Sequence, residues 1–328
     1  MRLAICAAAA LAMLVTTAAR SQAQPTVTLL TYNVRGLPWP VATDRTAALA
    51  AIARHLRALR QQGRQPGLVA LQEAFIPDAK AIGRAAGYQF MALGPGLDAS
   101  PARATTAADR AFMADRSFMV GERVGKRVDS GLVIFSDYPI VAVRRMVYAV
   151  CAGFDCLANK GALAVEVAVP GVPARLVVID SHLNSGAASG TVRARSNYAY
   201  YRQIDALRDF IADVAADGAP VLVAGDLNVG QRQERRSYFV TSLLGRSSGI
   251  AAAEFSCGQE QRCSIGSQTG VAESRESGKD WLLYRSSPSL AMKPTRLNAE
   301  FSRAVGGGML SDHIGISATY ALGAPFRR

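Results

Sequence analysis

Residues able to do hydrolytic chemistry are rationed along this chain, and each group of them stands at the end of a strand-length apolar run. Thr26 to Tyr32, rich in β-branched residues, leads into Asn33-Val34-Arg35-Gly36, and Gly67 to Leu71 leads into Gln72-Glu73. Val221 to Ala224 leads into Gly225-Asp226-Leu227-Asn228, and Ser311-Asp312-His313 stands just before the run Ile314 to Tyr320. Strand ends are where α/β folds gather a site, so a chain built this way is expected to fold with these ends together.

The segments between the motifs supply the rest of the architecture. Asp44 is expected to cap an amphipathic helix carrying Leu49, Ile52, Leu56 and Leu59 on one face and ended by Gly63 to Pro66. With the strands on either side this suggests a βαβ-like start. Ala79 to Ala86 reads as helix, as does Ser196 to Ala215 through Ile204, Leu207, Ile211 and Val214. Gly131 to Phe135 and Ile140 to Val147 predict a hairpin around Asp137-Tyr138-Pro139. Two more strands, Ala162 to Val169 and Arg175 to Asp180, flank Pro170-Gly171. Asp280 to Tyr284 and Ile314 to Tyr320 read as the last strands, Gly94 to Ala114 as a long surface loop, and Ser237 to Ser277 as polar and irregular. Strands alternate with helices, yet hairpins rule out purely parallel sheets. The pattern predicts an α/β fold in which two mixed sheets pack face to face with helices outside, a four-layer sandwich.

The first residues make a separate unit. Met1-Arg2, an apolar run from Leu3 to Ala19, then Arg20 and Ser21-Gln22-Ala23 read as a secretory signal peptide over residues 1–23. Residues 24–328 then form one catalytic domain, secreted or periplasmic. A retained membrane anchor is the rival reading, against which the run is short and Ala-rich. No later segment reaches the roughly 18 apolar residues needed to span a bilayer. Of five cysteines, Cys6 lies in the leader and the others fall into close pairs, Cys151 with Cys156 and Cys257 with Cys263. Export favours two local disulfides, and no histidine lies near either pair to make a zinc site. The formal charge of +12 favours anionic partners, whether nucleic acid, acidic lipid or a bacterial envelope, without choosing among them.

Phosphodiester hydrolysis needs carboxylates for a divalent cation, amides to orient phosphate oxygens and imidazoles to move protons. The chain has three histidines, and two of them, His182 and His313, lie directly beside a Ser or an Asp in such motifs. His55, inside the first helix without a carboxylate neighbour, reads as a surface or packing residue.

The ordered set Asn33, Glu73, His182 with Asn184, Asp226 with Asn228, Asp280, and Asp312-His313 resembles the endonuclease/exonuclease/phosphatase superfamily over nearly the whole mature chain. The resemblance implies a DNase I-like fold, with Glu73 and Asn33 as ligands of Mg²⁺ or another divalent cation. It implies that Asp226 and Asn228 position the attacking water and a phosphate oxygen, that His313 is the general base, and that His182 serves the leaving oxygen. Asp280 and Asp312 would orient the imidazoles.

The segment Cys151 to Gly161, CAGFDCLANKG, resembles a loop of neutral and bacterial sphingomyelinases in which an Asp and a Lys five residues apart precede a Gly and a strand; these are Asp155 and Lys160. The resemblance implies a Mg²⁺-dependent phosphodiesterase that cleaves sphingomyelin at a membrane surface to ceramide and phosphocholine, with Asn184 and Lys160 at the substrate phosphate. Nucleic acid is the alternative substrate. Phe112, Tyr198, Tyr200 and Tyr201 are available as a cage for a quaternary ammonium. No Trp lies between Tyr284 and Ser311, where bacterial sphingomyelinases often carry an aromatic-tipped hairpin. Trp39, between two prolines, reads as an exposed anchor or a packed aromatic.

Overall fold

The structure, a computed structural model, describes residues 24–101, 105–245, 248–260, 263–302 and 308–324. The expected signal peptide, 1–23, lies outside the described residues.

The first half of the chain begins with β1 (Thr26–Gly36), α1 (Arg45–Gln61) and β2 (Leu68–Ala74), followed by two short helices, α2 (Pro77–Lys80) and α3 (Ile82–Ala86). Then come β3 (Phe90–Leu93), α4 (Ala107–Ala114), β4 (Val133–Ser136), β5 (Ile140–Val147), β6 (Gly161–Val167) and β7 (Leu176–His182). The second half runs α5 (Arg193–Val214), β8 (Val221–Asp226), α6 (Gln233–Ser242), β9 (Ala251–Ala252), α7 (Ala253–Glu260), β10 (Ser264–Ile265) and α8 (Gln268–Ser277). It closes with β11 (Asp280–Arg285), β12 (Ala291–Phe301) and β13 (Gly315–Gly323). Among the described residues these strands form a seven-stranded sheet, β10-β12-β13-β1-β2-β4-β3, and a six-stranded sheet, β5-β6-β7-β8-β11-β9.

The two-residue side-chain period of a strand divides each sheet into an inner and an outer face. Val27 and Leu29 of β1, Leu68 and Ala70 of β2, Val178 of β7, Leu222 and Ala224 of β8, Leu282 of β11 and Ile316 of β13 share the core between the sheets. The alternate positions Leu30, Tyr32, Val69 and Leu71 pack under Ile52 and Leu56 of α1. Val177, Ile179, Val221, Val223, Trp281 and Leu283 pack against Ile204, Leu207 and Ile211 of α5. Burying each Leu or Ile in these layers contributes about 1.5–3 kcal/mol, and together they hold a sandwich of four layers, helix, sheet, sheet, helix. Extending the inner face toward one end of the molecule brings the period to Thr31 and Asn33, Gln72, Asp180 and His182, Asp226, and Asp280. The core thus turns polar at that end.

Four expectations are corrected. Residues 131–147 do not make a hairpin: β4 pairs with β2 and β3, whereas β5 pairs with β6 in the other sheet. Every residue of β4 is buried, so it takes a neighbour on each side, and Asp137-Tyr138-Pro139 carries the chain from one sheet to the other. The stretch 94–114 contains α4, opened by a reciprocal capping box between Thr106 and Asp109. The irregular segment 237–277 contains most of α6 and all of β9, α7, β10 and α8. β12 had no counterpart among the expected strands, and its Pro294 is tolerated where the register with β13 shifts. α1 forms as expected, but Asp44 sits at a left-handed φ of 56° and makes no side-chain cap bond.

Candidate active site

Strand pairing gathers the site. β7 runs parallel to β8 and sets His182 beside Asp226, while β11 runs antiparallel to β8 and sets Asp280 opposite Asp226. From the facing sheet, Asn33 Nδ2 donates to Asp226 Oδ2 at 3.1 Å and to Glu73 Oε1 at 2.9 Å. Gln72 makes a second bridge, donating to Asp180 Oδ1 at 2.7 Å. Glu73 and Asn228 stand at φ of 54° and 47°. A left-handed residue other than glycine costs about 1–3 kcal/mol and persists where neighbours hold it, as Ala74 N does by donating to Gly131 O at 2.9 Å. Asn228 is held by its own side chain, which donates to Leu183 O at 3.0 Å, and by its N–H, which donates to Asp226 Oδ1 at 3.2 Å.

The two site histidines have opposite electrostatics. His313 Nδ1 lies 2.9–3.0 Å from both oxygens of Asp280, and its Nε2 lies 3.5 Å from Asp226 Oδ2. Burial works to lower its pKa, but the carboxylates of Asp280 and Asp226 outweigh that and push it up to about 10. Asp226 is itself pushed up, to about 6, by burial, with the positive charges of His313 and Lys160 opposing. His182 goes the other way. Burial, then Lys160 and His313, hold its pKa well below the usual imidazole value, so it stays neutral. Lys160 Nζ is 3.0 Å from His182 Nε2, which accepts the bond and leaves the ring proton on Nδ1.

Lys160 is buried in a tight cradle. It pairs with Asp155 and donates to Leu183 O at 3.1 Å. Asp155 in turn accepts from Ser185 N at 3.1 Å and Asn184 Nδ2 at 3.3 Å. The loop carrying Asp155 is closed by the Cys151–Cys156 disulfide, and the second expected pair, Cys257–Cys263, is also bonded. Asn184, expected at the substrate phosphate, is fully buried and spends its amide on this loop, its Oδ1 accepting from Ala152 N at 2.9 Å.

Three other placements differ from expectation. Asp312 is exposed and, among the described contacts, touches neither imidazole; its Oδ1 lies 3.3 Å from Ser311 Oγ. Asp280 alone orients an imidazole, because the Ser311 hydroxyl bonds to Asn33 O at 2.7 Å and turns the next residue outward. The four aromatic rings form no common cage. Phe112 stacks on Tyr198 at 4.4 Å, Tyr201 lies tilted against Tyr238 at 4.3 Å, and Tyr200 is fully buried. Trp39 is exposed, 82% of its surface open, which excludes the packed reading. His55 packs edge-on against Phe301 at 4.9 Å, as expected of a packing residue.

One residue that sequence reasoning passed over holds the site together. Arg235, on α6 and 3% exposed, donates to the main-chain oxygens of Asn184 at 2.8 Å, Asn228 at 3.0 Å, Ser185 at 3.1 Å and Ser196 at 3.2 Å, and to Asn197 Oδ1 at 2.8 Å. Its guanidinium also covers the Tyr200 ring at 4.3 Å. Gln203 assists, accepting from Asn184 N at 2.7 Å. Nothing in the run Gln233-Glu234-Arg235-Arg236 distinguishes this arginine from its neighbour.

Ligand atoms of Glu73, Asp226 and His182 lie within 4.8 Å of one another. Carboxylate oxygens on a partly exposed Glu73 and on Asp226 suit a hard cation that keeps several waters, and Asn33, expected as a ligand, bridges the two through Nδ2 while its Oδ1 accepts from Arg35 N at 3.0 Å. A second cluster, Asp226, Asp280 and His313, also meets that limit, but its carboxylates are engaged with the imidazole.

The endonuclease/exonuclease/phosphatase family matches residues 30–288. Among curated protein sequences no match is found. Similar solved structures include sphingomyelinase C from Streptomyces griseocarneus, at 19% identity and a TM-score of 0.59 over 90% of this chain and 99% of that one. A Staphylococcus aureus beta toxin mutant with bound magnesium ions has 17% identity and a TM-score of 0.57 over 90% and 99%. D. rerio TDP2 complexed with a single-strand DNA product has 18% identity and a TM-score of 0.56 over 90% and 98%. At these identities the structures speak for the fold, while the sequence match spans most of the chain. The protein belongs to the endonuclease/exonuclease/phosphatase family.

Proposed function

We propose that this protein is an exported, divalent-cation-dependent phosphodiesterase that hydrolyses sphingomyelin to ceramide and phosphocholine. The family makes it a phosphoester hydrolase, and the observation that carries the finer reading is the contact of Lys160 Nζ with His182 Nε2 at 3.0 Å, with Asp155 as the other partner of Lys160. It joins the loop that resembles those of sphingomyelinases to the catalytic cluster.

Glu73, steadied by the Asn33 amide, would hold the cation, which when bound neutralises phosphate charge. The remaining work falls to the protein. Asp280 holds the His313 ring at Nδ1, and its Nε2 lies 3.5 Å from Asp226 Oδ2, so the His313–Asp226 pair is the one placed to take a proton from the attacking water. Asn228, its side-chain amide bonded to Leu183 O, donates its N–H to Asp226 Oδ1 and so fixes the orientation of that carboxylate. Lys160 provides a buried positive charge beside neutral His182, where the leaving oxygen gains its negative charge.

The test is a side-by-side assay of phosphocholine release from sphingomyelin vesicles and nicking of supercoiled DNA. Release without nicking is expected. Nicking with no release would replace sphingomyelin by nucleic acid, a substrate class the +12 charge also suits.

A further inference from the structure

Large apolar side chains stand in the open on both sides of the catalytic end. On one side are Phe118, Met119, Phe154 and Val192, with 68%, 84%, 48% and 70% of their surface exposed. On the other are Trp39 and Val41, at 82% and 67%, in the loop that continues from Asn33. Single exposed apolar residues are ordinary on a protein surface. Their gathering in loops tied to one another beside Asp155 is not.

The first group is built into the site. Glu122, 3% exposed, accepts from Ser117 N, Gly153 N and Arg195 Nε at 2.7–2.8 Å, tying the turn that bears Phe118 and Met119 to the 153–157 loop and to α5. Phe154 lies over Gly190, where a Cβ would come within 2.6 Å of the ring, and the next residue is Asp155, the partner of Lys160. This rim is therefore held firmly beside the site while its apolar tips stay in water. Exposed Arg35, Arg123 and Arg193 are interleaved with these tips.

Apolar tips with a basic surround match a bilayer, whose headgroup layer accepts the arginines while the side chains enter the acyl boundary. A nucleic acid would meet the arginines and leave the tips solvated. We infer that this rim docks the protein on a lipid bilayer containing acidic lipid and seats the cleft on the headgroups; the inference rests on the phosphodiesterase reading and supplies its surface. It uses loops rather than a tipped hairpin before Ser311.

The test compares wild type with the double variant Phe118→Ser, Met119→Ser, neither of which touches the catalytic groups. Both are sedimented with vesicles of phosphatidylcholine, sphingomyelin and a minority of phosphatidylglycerol, and both are assayed on those vesicles and on a water-soluble aryl phosphodiester. The variant should bind vesicles at least about tenfold more weakly and lose vesicle hydrolysis in proportion, with hydrolysis of the soluble diester unchanged. Equal sedimentation of the two proteins would overturn the inference, as would equal losses on both substrates. A wild-type dimer that the variant converts to monomer, with no vesicle binding, would assign the rim to a second copy and overturn it too. Vesicle binding that depends on Phe118 and Met119 without cleavage of sphingomyelin would uphold the docking and refute the substrate.

Discussion

His313, Asp226 and Asp280 act as a unit because each sets the charge of the next, and Arg235 decides whether they face a substrate in the right place. The guanidinium of Arg235 fixes the loops after β7 and β8 through their carbonyls, a task for its planar fork of donors that a lysine cannot repeat. Arg235→Lys should lower kcat with little change in KM, while Arg235→Ala should cost about 3–5 kcal/mol of stability by leaving buried carbonyls unpaired. Steady-state kinetics on a soluble diester with parallel urea unfolding check both, and a native kcat in Arg235→Lys would reduce the residue to packing. Glu73, His182, Asp226 and His313 were legible in the sequence because short polar motifs, two of them holding a scarce histidine, adjoin apolar runs in one order. Arg235 was not, because its role lies in what its five donors reach, and a sequence shows only that an arginine is there. Asp312 misled for the same reason, its neighbour Ser311 having already used the space toward β1.

At the scale of elements, α1, α5 and the strands of both inner faces follow from apolar periodicity, since each buries a stripe or an alternating face. Elements with mixed patterns were lost. α7 and α8 pack at the side of the sandwich, and α7 carries a buried carboxylate, Glu254, whose pKa burial pushes up to about 7. In the unfolded chain this group titrates at an ordinary Glu value, so its folded pKa is the raised one. Its contribution is fully present below the unfolded pKa and is lost as pH rises through about 7, so stability falls across that window by about 3 kcal/mol. Glu254→Gln should flatten that part of the stability profile; urea unfolding at pH 5 and pH 8 measures it. An unchanged difference between the two pH values would show that Glu254 is paired in solution. The mistaken hairpin at 131–147 has a related cause: neighbours in sequence usually pair, and only the facing sheet reveals that β4 needs β2 and β3.

Across the whole molecule, the two sheets share an inner face that is apolar for most of its depth and polar at one end, and the site is that polar end. Asn33 to Asp226 and Gln72 to Asp180 bridge the sheets there, so the packing that stabilises the sandwich also sets the spacing of the site. The sandwich was legible from the mixture of alternating strands and helices, whereas the order of strands within each sheet was not, because register between distant segments leaves no local trace. The central claim is that this polar end is a cation-dependent phosphodiesterase centre organised on Glu73. The most direct measurement is the initial rate of phosphocholine release from sphingomyelin as Mg²⁺ is returned to chelator-treated protein, for wild type and for Glu73→Gln. Wild type should recover from near zero to full rate, and the variant should stay at least about 10²-fold lower at the same Mg²⁺ concentration. Full activity of wild type in excess chelator, or a variant that recovers like wild type, would contradict the account.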